Sequence, residues 1–261
     1  MTVEVGINSR ILHLGCFETM LGYRGKIPLI HHHFSRLQRG LDLLNWQRPD
    51  DLTVESIEDW FAGQSDPEDE KHWRVRLSVE SGEERKIWTL VKQVVAHPSE
   101  PFALKSIQLT DHHNSVHEQL CKLSDRIIYK SAQKLADIDG ADDALLISKD
   151  GFVSETCIAG VLLVKDGRFF TPDVQSGGLR GVGLEILKPL MIFNLLSIKE
   201  RPIDLEQLKN ADSVWLVNAL RGPFPVKSID RTDLNFNPDF HRRISDLFWD
   251  RIRSMIEEEW N

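Results

Sequence analysis

The chain has 261 residues, 41% hydrophobic and 28% charged, enough core-forming material for one large domain or two ordinary ones. Its net charge of −8 disfavours a general nucleic-acid binder, and its three scattered cysteines (Cys16, Cys121, Cys157) predict neither a disulfide framework nor a zinc site and suit a reduced cytoplasmic setting. MTVEVGINSR lacks the flank and apolar core of a signal peptide, and LKPLMIFNLL, the greasiest stretch, is too short to span a membrane.

CFETMLGYRGKIPLI reads as a hairpin turning at Tyr23-Arg24-Gly25. A helix over roughly 31–45 follows, opening on HHHFSRLQRG. Adjacent His31, His32 and His33 point in different directions, so the run does not predict a metal site; no metal is expected. His33 and Arg36 are three apart, beside an apolar stripe through Leu37 and Leu41. Taken alone, Arg36 reads as a solvated residue outside the core. TVESIEDWFAG predicts a second helix with Thr53 as N-cap and Gly63 past its end. GQSDPEDEK is a solvated loop, HWRVRLSVE alternates as a strand, and KIWTLVKQVV is a longer strand.

The character of the chain changes around AHPSEP. This places a junction within 97–118 and divides the chain into a smaller domain, 1–105, and a larger one, 106–261. A helix over about 124–138, capped by Ser124, opens the second part. Strands ALLIS, GFVSE and GVLLVKDGRFFTP follow, then the loop SGGLRGVGLEIL running into a helix, strands SVWLVN and FPVKSID, and an amphipathic helix over roughly 239–259. Strands and helices mix without regular βα alternation, which predicts an α+β fold.

The glycine-rich loop, with Gly177, Gly178, Gly181 and Gly183, is neither a Walker A sequence nor a GxGxxG fingerprint. An ordinary tight loop accounts for it when it is taken alone. Small residues also let a backbone approach an anion, and N–H groups at a helix start attract negative charge. Together with the planar donor fork of Arg36, the loop points to a phosphate-bearing cofactor without naming one.

Three longer blocks carry a resemblance. LGCFETMLGYRGKIPLIHHHFSRL is similar to the N-terminal signature of the class IV, or fold type IV, pyridoxal-phosphate enzymes. GADDALLISKDGFVSETCIAGVLLVKDGRFFTPDVQSGGLRGVGLEIL resembles their central signature, and ADSVWLVNALRGPFPVKSID their third block. The blocks stand in the right order over nearly the whole chain. The resemblance implies a two-domain α+β fold of the D-amino-acid aminotransferase type, pyridoxal 5'-phosphate (PLP) as cofactor, a small-molecule amino substrate and a homodimer with each site near the subunit interface. No nucleic-acid or membrane partner is expected.

Roles then follow position by position, as the resemblance implies them. Arg36, in the His33-to-Leu37 helix start, holds the cofactor phosphate, and His33 buttresses that helix. Glu155 pairs with the pyridine nitrogen and keeps it protonated, so that the ring accepts electrons. Backbone N–H groups of Val182 and Gly183 cradle the phosphate, and the turn Asn218-Ala219-Leu220 adds a further backbone donor. Lys122 is the Schiff-base lysine. The family's spacing from its lysine to the strand beginning at Gly140 selects it over Lys130, and KLSDRI resembles the family's Lys-x-x-Asn-Arg-Leu with Asp125 for Asn. Four positions depart from the pattern: Leu184 where an arginine is frequent, Gly160 for Asn, His13-Leu14 for Gly-Asp, and Ile127 where many aminotransferases carry a tyrosine.

The class contains branched-chain and D-amino-acid aminotransferases and 4-amino-4-deoxychorismate lyase, a folate-biosynthesis activity. All form an external aldimine and use the freed lysine to remove a proton. GCFETM and NALRGPFPV resemble the lyase blocks, and the short chain and absent tyrosine agree. The expectation is therefore the lyase, releasing pyruvate and p-aminobenzoate, with a class IV aminotransferase as the alternative. A weakly active PLP-binding protein is a third reading, motivated by Gly160 and Leu184.

Overall fold

The structure is a computed structural model that describes residues 15–81, 86–95, 100–110 and 121–257. These fall into two compact units. One holds 15–95, 121–125 and 249–257, and the other holds 100–110 and 126–248, in each case as far as the residues are described.

The smaller unit is an antiparallel sheet in the order β1-β2-β3, with β1 Gly15–Gly22, β2 Trp73–Ser81 and β3 Lys86–Val94. Helices α1 (Ile30–Leu43) and α2 (Val54–Ala62) belong to the same unit. Strand alternation sends Val75, Leu77 and Val79 into a core shared with Met20, Leu37, Leu41, Ile57 and Phe61. Helix α2 starts and stops where the sequence predicts. Thr53 and Ser56 form a reciprocal capping box, and Gly63 follows the last turn. The tight turn also forms at Tyr23-Arg24-Gly25, with Arg24 and Gly25 at φ 48° and 75°. It closes only a single bridge, Tyr23 to Lys26, before α1 begins, so the expected hairpin lacks a second strand and β1 pairs instead with β2.

The larger unit is built on a nine-stranded mixed sheet, in the order β6-β5-β4-β11-β10-β7-β8-β9 with β12 added beside β11. Its strands are β4 Phe102–Gln108, β5 Asp143–Ile147, β6 Val153–Thr156, β7 Gly160–Lys165, β8 Arg168–Pro172, β9 Ile198–Arg201, β10 Ser213–Asn218, β11 Gly222–Ile229 and β12 Thr232–Asp233. Its helices are α3 Ile127–Asp139, α4 Val182–Phe193 and α5 Leu205–Lys209, and α6 Pro238–Glu257 closes the described chain. Leu145, Val161, Leu163, Val214 and Leu216 belong to one core layer. Tyr129, Ala132 and Ala136 of α3 pack with Ala144 and Leu146 in another. Strand β4 lies within the stretch read as a junction; it pairs in parallel with both β5 and β11.

One expectation is corrected near the candidate lysine. The helix does not start at a Ser124 cap. Residues 122–124 run extended beside β1, where Phe17 N donates to Lys122 O (2.9 Å) and Ser124 N donates to Gly15 O (2.9 Å). Helix α3 begins only at Ile127, and the side chain of Arg126 at its N-cap makes no capping hydrogen bond. Pairing with a strand satisfies these backbone groups and holds 122–124 out of the helix.

Asp143, fully buried at the start of β5, gives the larger unit a pH-dependent stability. Burial raises its carboxyl from 3.8 to about 6, against hydrogen bonds from the backbone N–H groups of Ala144 and Cys157. A raised acid pKa means that the contribution is full below 3.8 and is lost as pH rises through about 6. Ionised Asp143 at pH 8 then costs about 3 kcal/mol. Asp143→Asn keeps an acceptor for both N–H groups and removes the charge, so it should raise the melting temperature at pH 8 and do so much less at pH 4. An equal effect at both pH values would reject the assignment.

Candidate active site

In the smaller unit, β1 presents two faces because successive side chains alternate. Phe17 lies opposite Lys122, a pairing fixed by the bridge between Cys16 and Leu123. The Lys122 Nζ stands 4.8 Å from the Phe17 ring centroid, and the Arg76 guanidinium carbon 3.8 Å from it. Both cationic side chains therefore contact the Phe17 ring, which fixes where the lysine amine lies. Gly40 lets α1 lie close to this segment, since a Cβ there would stand 3.1 Å from the Cys121 Cβ and 3.3 Å from the Cys16 Cβ. Two residues beyond Lys122, the Ser124 hydroxyl oxygen is buried with no hydrogen-bond partner among the described residues. Lys130 lies elsewhere, exposed on α3.

Glu18 meets α1. Its carboxylate accepts from Arg36 Nε at 2.8 Å and Nη2 at 2.5 Å, and lies 2.7 Å from His33 Nδ1. All three residues are buried, which corrects the expectation that Arg36 is a solvated side chain outside the core. A guanidinium enters a core when a carboxylate takes its planar edge, and Glu18 supplies it. Burial pushes the Glu18 carboxyl up, but the charge and hydrogen bond of Arg36, with the bond to His33, outweigh it and leave the carboxyl lowered to about 2. Burial also lowers His33, which is therefore neutral at pH 7 and completes the cluster as a hydrogen-bond partner of Glu18. His31 is exposed and His33 buried, so the histidine run divides between two faces of α1.

Arg36→Ala strands a buried carboxylate and should cost roughly 3–5 kcal/mol of stability, measured by urea unfolding. Adding Glu18→Leu to that variant should recover a large part of the loss. A stability unchanged by Arg36→Ala would contradict the buried pair.

The larger unit carries the remaining predicted residues. Glu155 is buried on β6, and the Tyr129 hydroxyl donates to its Oε1 at 2.7 Å. The glycine loop passes close to this strand, for a Cβ at Gly178 would stand 3.0 Å from the Ser154 carbonyl oxygen. It then enters α4, whose first N–H groups, those of Val182 and Gly183 among them, have no acceptor within the helix. At Gly183 a Cβ would stand 2.6 Å from the carbonyl carbon of Asn218 and 3.0 Å from the nitrogen of Ala219. Only glycine lets the helix start approach that turn. The Asn218 side-chain oxygen accepts from the N–H groups of Leu220 (3.0 Å) and Arg221 (2.8 Å) and holds the turn in shape. The N-terminus of α4, with the N–H groups of Val182 and Gly183, thus lies against the turn at Asn218-Ala219, and a helix N-terminus is a setting that suits an anion.

Two departures from the family pattern prove to be one feature. A Cβ at Gly160 would stand 2.8 Å from Leu184 Cδ1, so the leucine fills the space a side chain at 160 would need. Gly160 and Leu184 form a packed pair, and the change at one accommodates the change at the other. His13-Leu14 lies outside the described residues, and Ile127 is exposed. Tyr129 was not singled out from the sequence. Its signal was faint: one of two tyrosines in the chain, in a stretch read only as a helix.

The family model for class IV amino-transferases matches residues 15–229. Aminodeoxychorismate lyase of Vibrio harveyi is 26% identical over 230 residues, covering 82% of this chain and 83% of that protein. A solved structure from Legionella pneumophila, provisionally assigned as 4-amino-4-deoxychorismate lyase, matches with TM-score 0.78 at 26% identity and covers 96% of each chain. A PLP-bound form of a hypothetical aminotransferase from Mycobacterium tuberculosis has the same fold, with TM-score 0.78 at 20% identity, covering 93% of this chain and 90% of that one. A probable branched-chain-amino-acid aminotransferase of Thermotoga maritima is 24% identical and covers 88% of this chain and 82% of that protein, whereas the chain spans 19% of branched-chain-amino-acid aminotransferase-like protein 2 of Arabidopsis thaliana, at 32% identity. The chain belongs to the class IV aminotransferase family, a family of enzymes, and its α+β architecture is that of fold type IV.

Proposed function

We propose that the chain is a PLP-dependent lyase that converts 4-amino-4-deoxychorismate to pyruvate and p-aminobenzoate. The observation that carries this reading is the likeness to proteins named for that lyase, which extends over most of both chains. The exposed Ile127, where many aminotransferases of the class carry tyrosine, agrees with it.

The residues fit the cofactor. The glycine at 183, which alone allows the approach to Asn218-Ala219, makes a backbone cradle for the phosphate. The resemblance assigns Arg36 to the cofactor phosphate as well, and its pair with Glu18 fixes the orientation of the guanidinium. Lys122 would hold the cofactor through its Nζ, and the same amine would serve as the base for the proton on the substrate carbon. Glu155 keeps a proton on the ring nitrogen. When bound, PLP supplies a ring that accepts the electron pair left at that carbon. A homodimer fits exposed Phe193 (88%) and Leu195 (97%) at the end of α4, and a cytoplasmic setting fits three buried thiols that form no disulfide. Among the described residues no helix is long and apolar enough to cross a membrane.

Incubation of the purified protein with PLP and aminodeoxychorismate should release pyruvate and p-aminobenzoate in equal amounts. The family's aminotransferases support a second reading, a branched-chain or D-amino-acid aminotransferase. Keto-acid formation from those amino acids, without p-aminobenzoate release, would replace the first reading with the second. The absence of both would leave the third, a weakly active PLP-binding protein.

A further inference from the structure

We propose that Tyr129 is a positioning residue for Glu155, fixing the orientation of its carboxyl group and favouring its ionised form. The inference rests on the reading that Glu155 faces the cofactor ring nitrogen, and goes beyond it by assigning a residue that the family pattern did not supply.

Three contacts hold the tyrosine. Its hydroxyl donates to Glu155 Oε1 at 2.7 Å, in a buried setting. The Arg126 guanidinium carbon lies 3.2 Å from the Tyr129 ring centroid, while Arg126 Nη2 donates to the Cys157 carbonyl oxygen at 2.7 Å. The Cys157 thiol in turn donates to the Tyr129 carbonyl oxygen at 3.2 Å. Helix α3 and the end of β6 are thus tied together around the phenol, and a rotation of the ring away from Glu155 would break the stack.

The chemistry gives the contact its purpose. A carboxylate that partners a protonated ring nitrogen must stay ionised, and burial works against that. A hydrogen bond donated to the carboxylate favours the charged form and, in a dry site, is strong. It also removes one rotational freedom of the carboxyl group. A tyrosine that only filled space would need no hydroxyl at hydrogen-bond distance from a buried carboxylate.

The test is Tyr129→Phe, which deletes one oxygen atom and keeps the ring. Apoenzymes of the parent, Tyr129→Phe, Glu155→Gln and the double variant are titrated with PLP between pH 5.5 and 8.5 by quenching of tryptophan fluorescence. Tyr129→Phe should bind PLP about tenfold more weakly at pH 6, the equivalent of one charge-assisted hydrogen bond, with a smaller loss at pH 8. In the Glu155→Gln background the same change should alter affinity less than twofold at either pH. A Tyr129→Phe profile that superimposes on the parent's while Glu155→Gln weakens binding overturns the inference and leaves the role of Glu155 standing. A Glu155→Gln profile that matches the parent's overturns both. A pH-independent loss, or one that persists without the carboxylate, makes Tyr129 a structural residue and also overturns the inference.

Discussion

Lys122→Ala should lower turnover by roughly three to four orders of magnitude and leave the protein folded. The side chain is asked for two things, a covalent bond to the cofactor and a proton transfer at the substrate carbon, and alanine can do neither. The fold does not depend on it, because the bonds that hold 122–124 beside β1 come from the backbone, through Lys122 O and Ser124 N. Among the contacts given up is the one over the Phe17 ring, worth about 1 kcal/mol. Lys130→Ala is the control: that side chain is exposed on α3, and its loss should change stability by no more than about 0.5 kcal/mol. Steady-state kinetics of the two variants, with melting curves, check the expectation. A Lys130→Ala variant that loses turnover while Lys122→Ala keeps it would reverse the assignment.

The second large effect is expected at Glu155. Glu155→Gln retains shape and keeps an oxygen to accept from Tyr129, but a neutral amide no longer holds a proton on the ring nitrogen. PLP should bind more weakly but still load onto Lys122 when saturating, and turnover of the loaded variant should fall roughly a hundredfold or more, the scale seen when an electrostatic partner is removed from a dry site. Lost turnover at saturating PLP is the diagnostic result. Turnover close to the parent's would remove Glu155 from the chemistry.

What the sequence could and could not disclose follows from the range of the interactions. Helix α2 was legible because its boundaries are set locally, by Thr53 with Ser56 at one end and Gly63 at the other. The loop into α4 was legible for the same reason, although the need for glycine at 183 comes from Asn218 and Ala219, far along the chain. Arg36 read as a surface charge because its partner, Glu18, sits on another element, and only the packing of α1 against β1 brings them together. Ser124 read as a helix cap because serine before a periodic stretch usually is one; pairing with β1 overrode that local preference. Strand β4 went unread because FALKSIQ alternates weakly and its partners, β5 and β11, lie far along the chain. Tyr129 and Glu155 are 26 residues apart, and no local pattern connects them. Gly160 and Leu184 looked like two separate losses until their contact made them one.

The central claim, that one named lysine carries the cofactor, is tested most directly by covalent trapping. The PLP-loaded protein is reduced with borohydride, digested, and mapped by peptide mass spectrometry. The account predicts the pyridoxyl group on Lys122, in the extended segment paired with β1. Recovery of the label on Lys130, on the exposed face of α3, would contradict it.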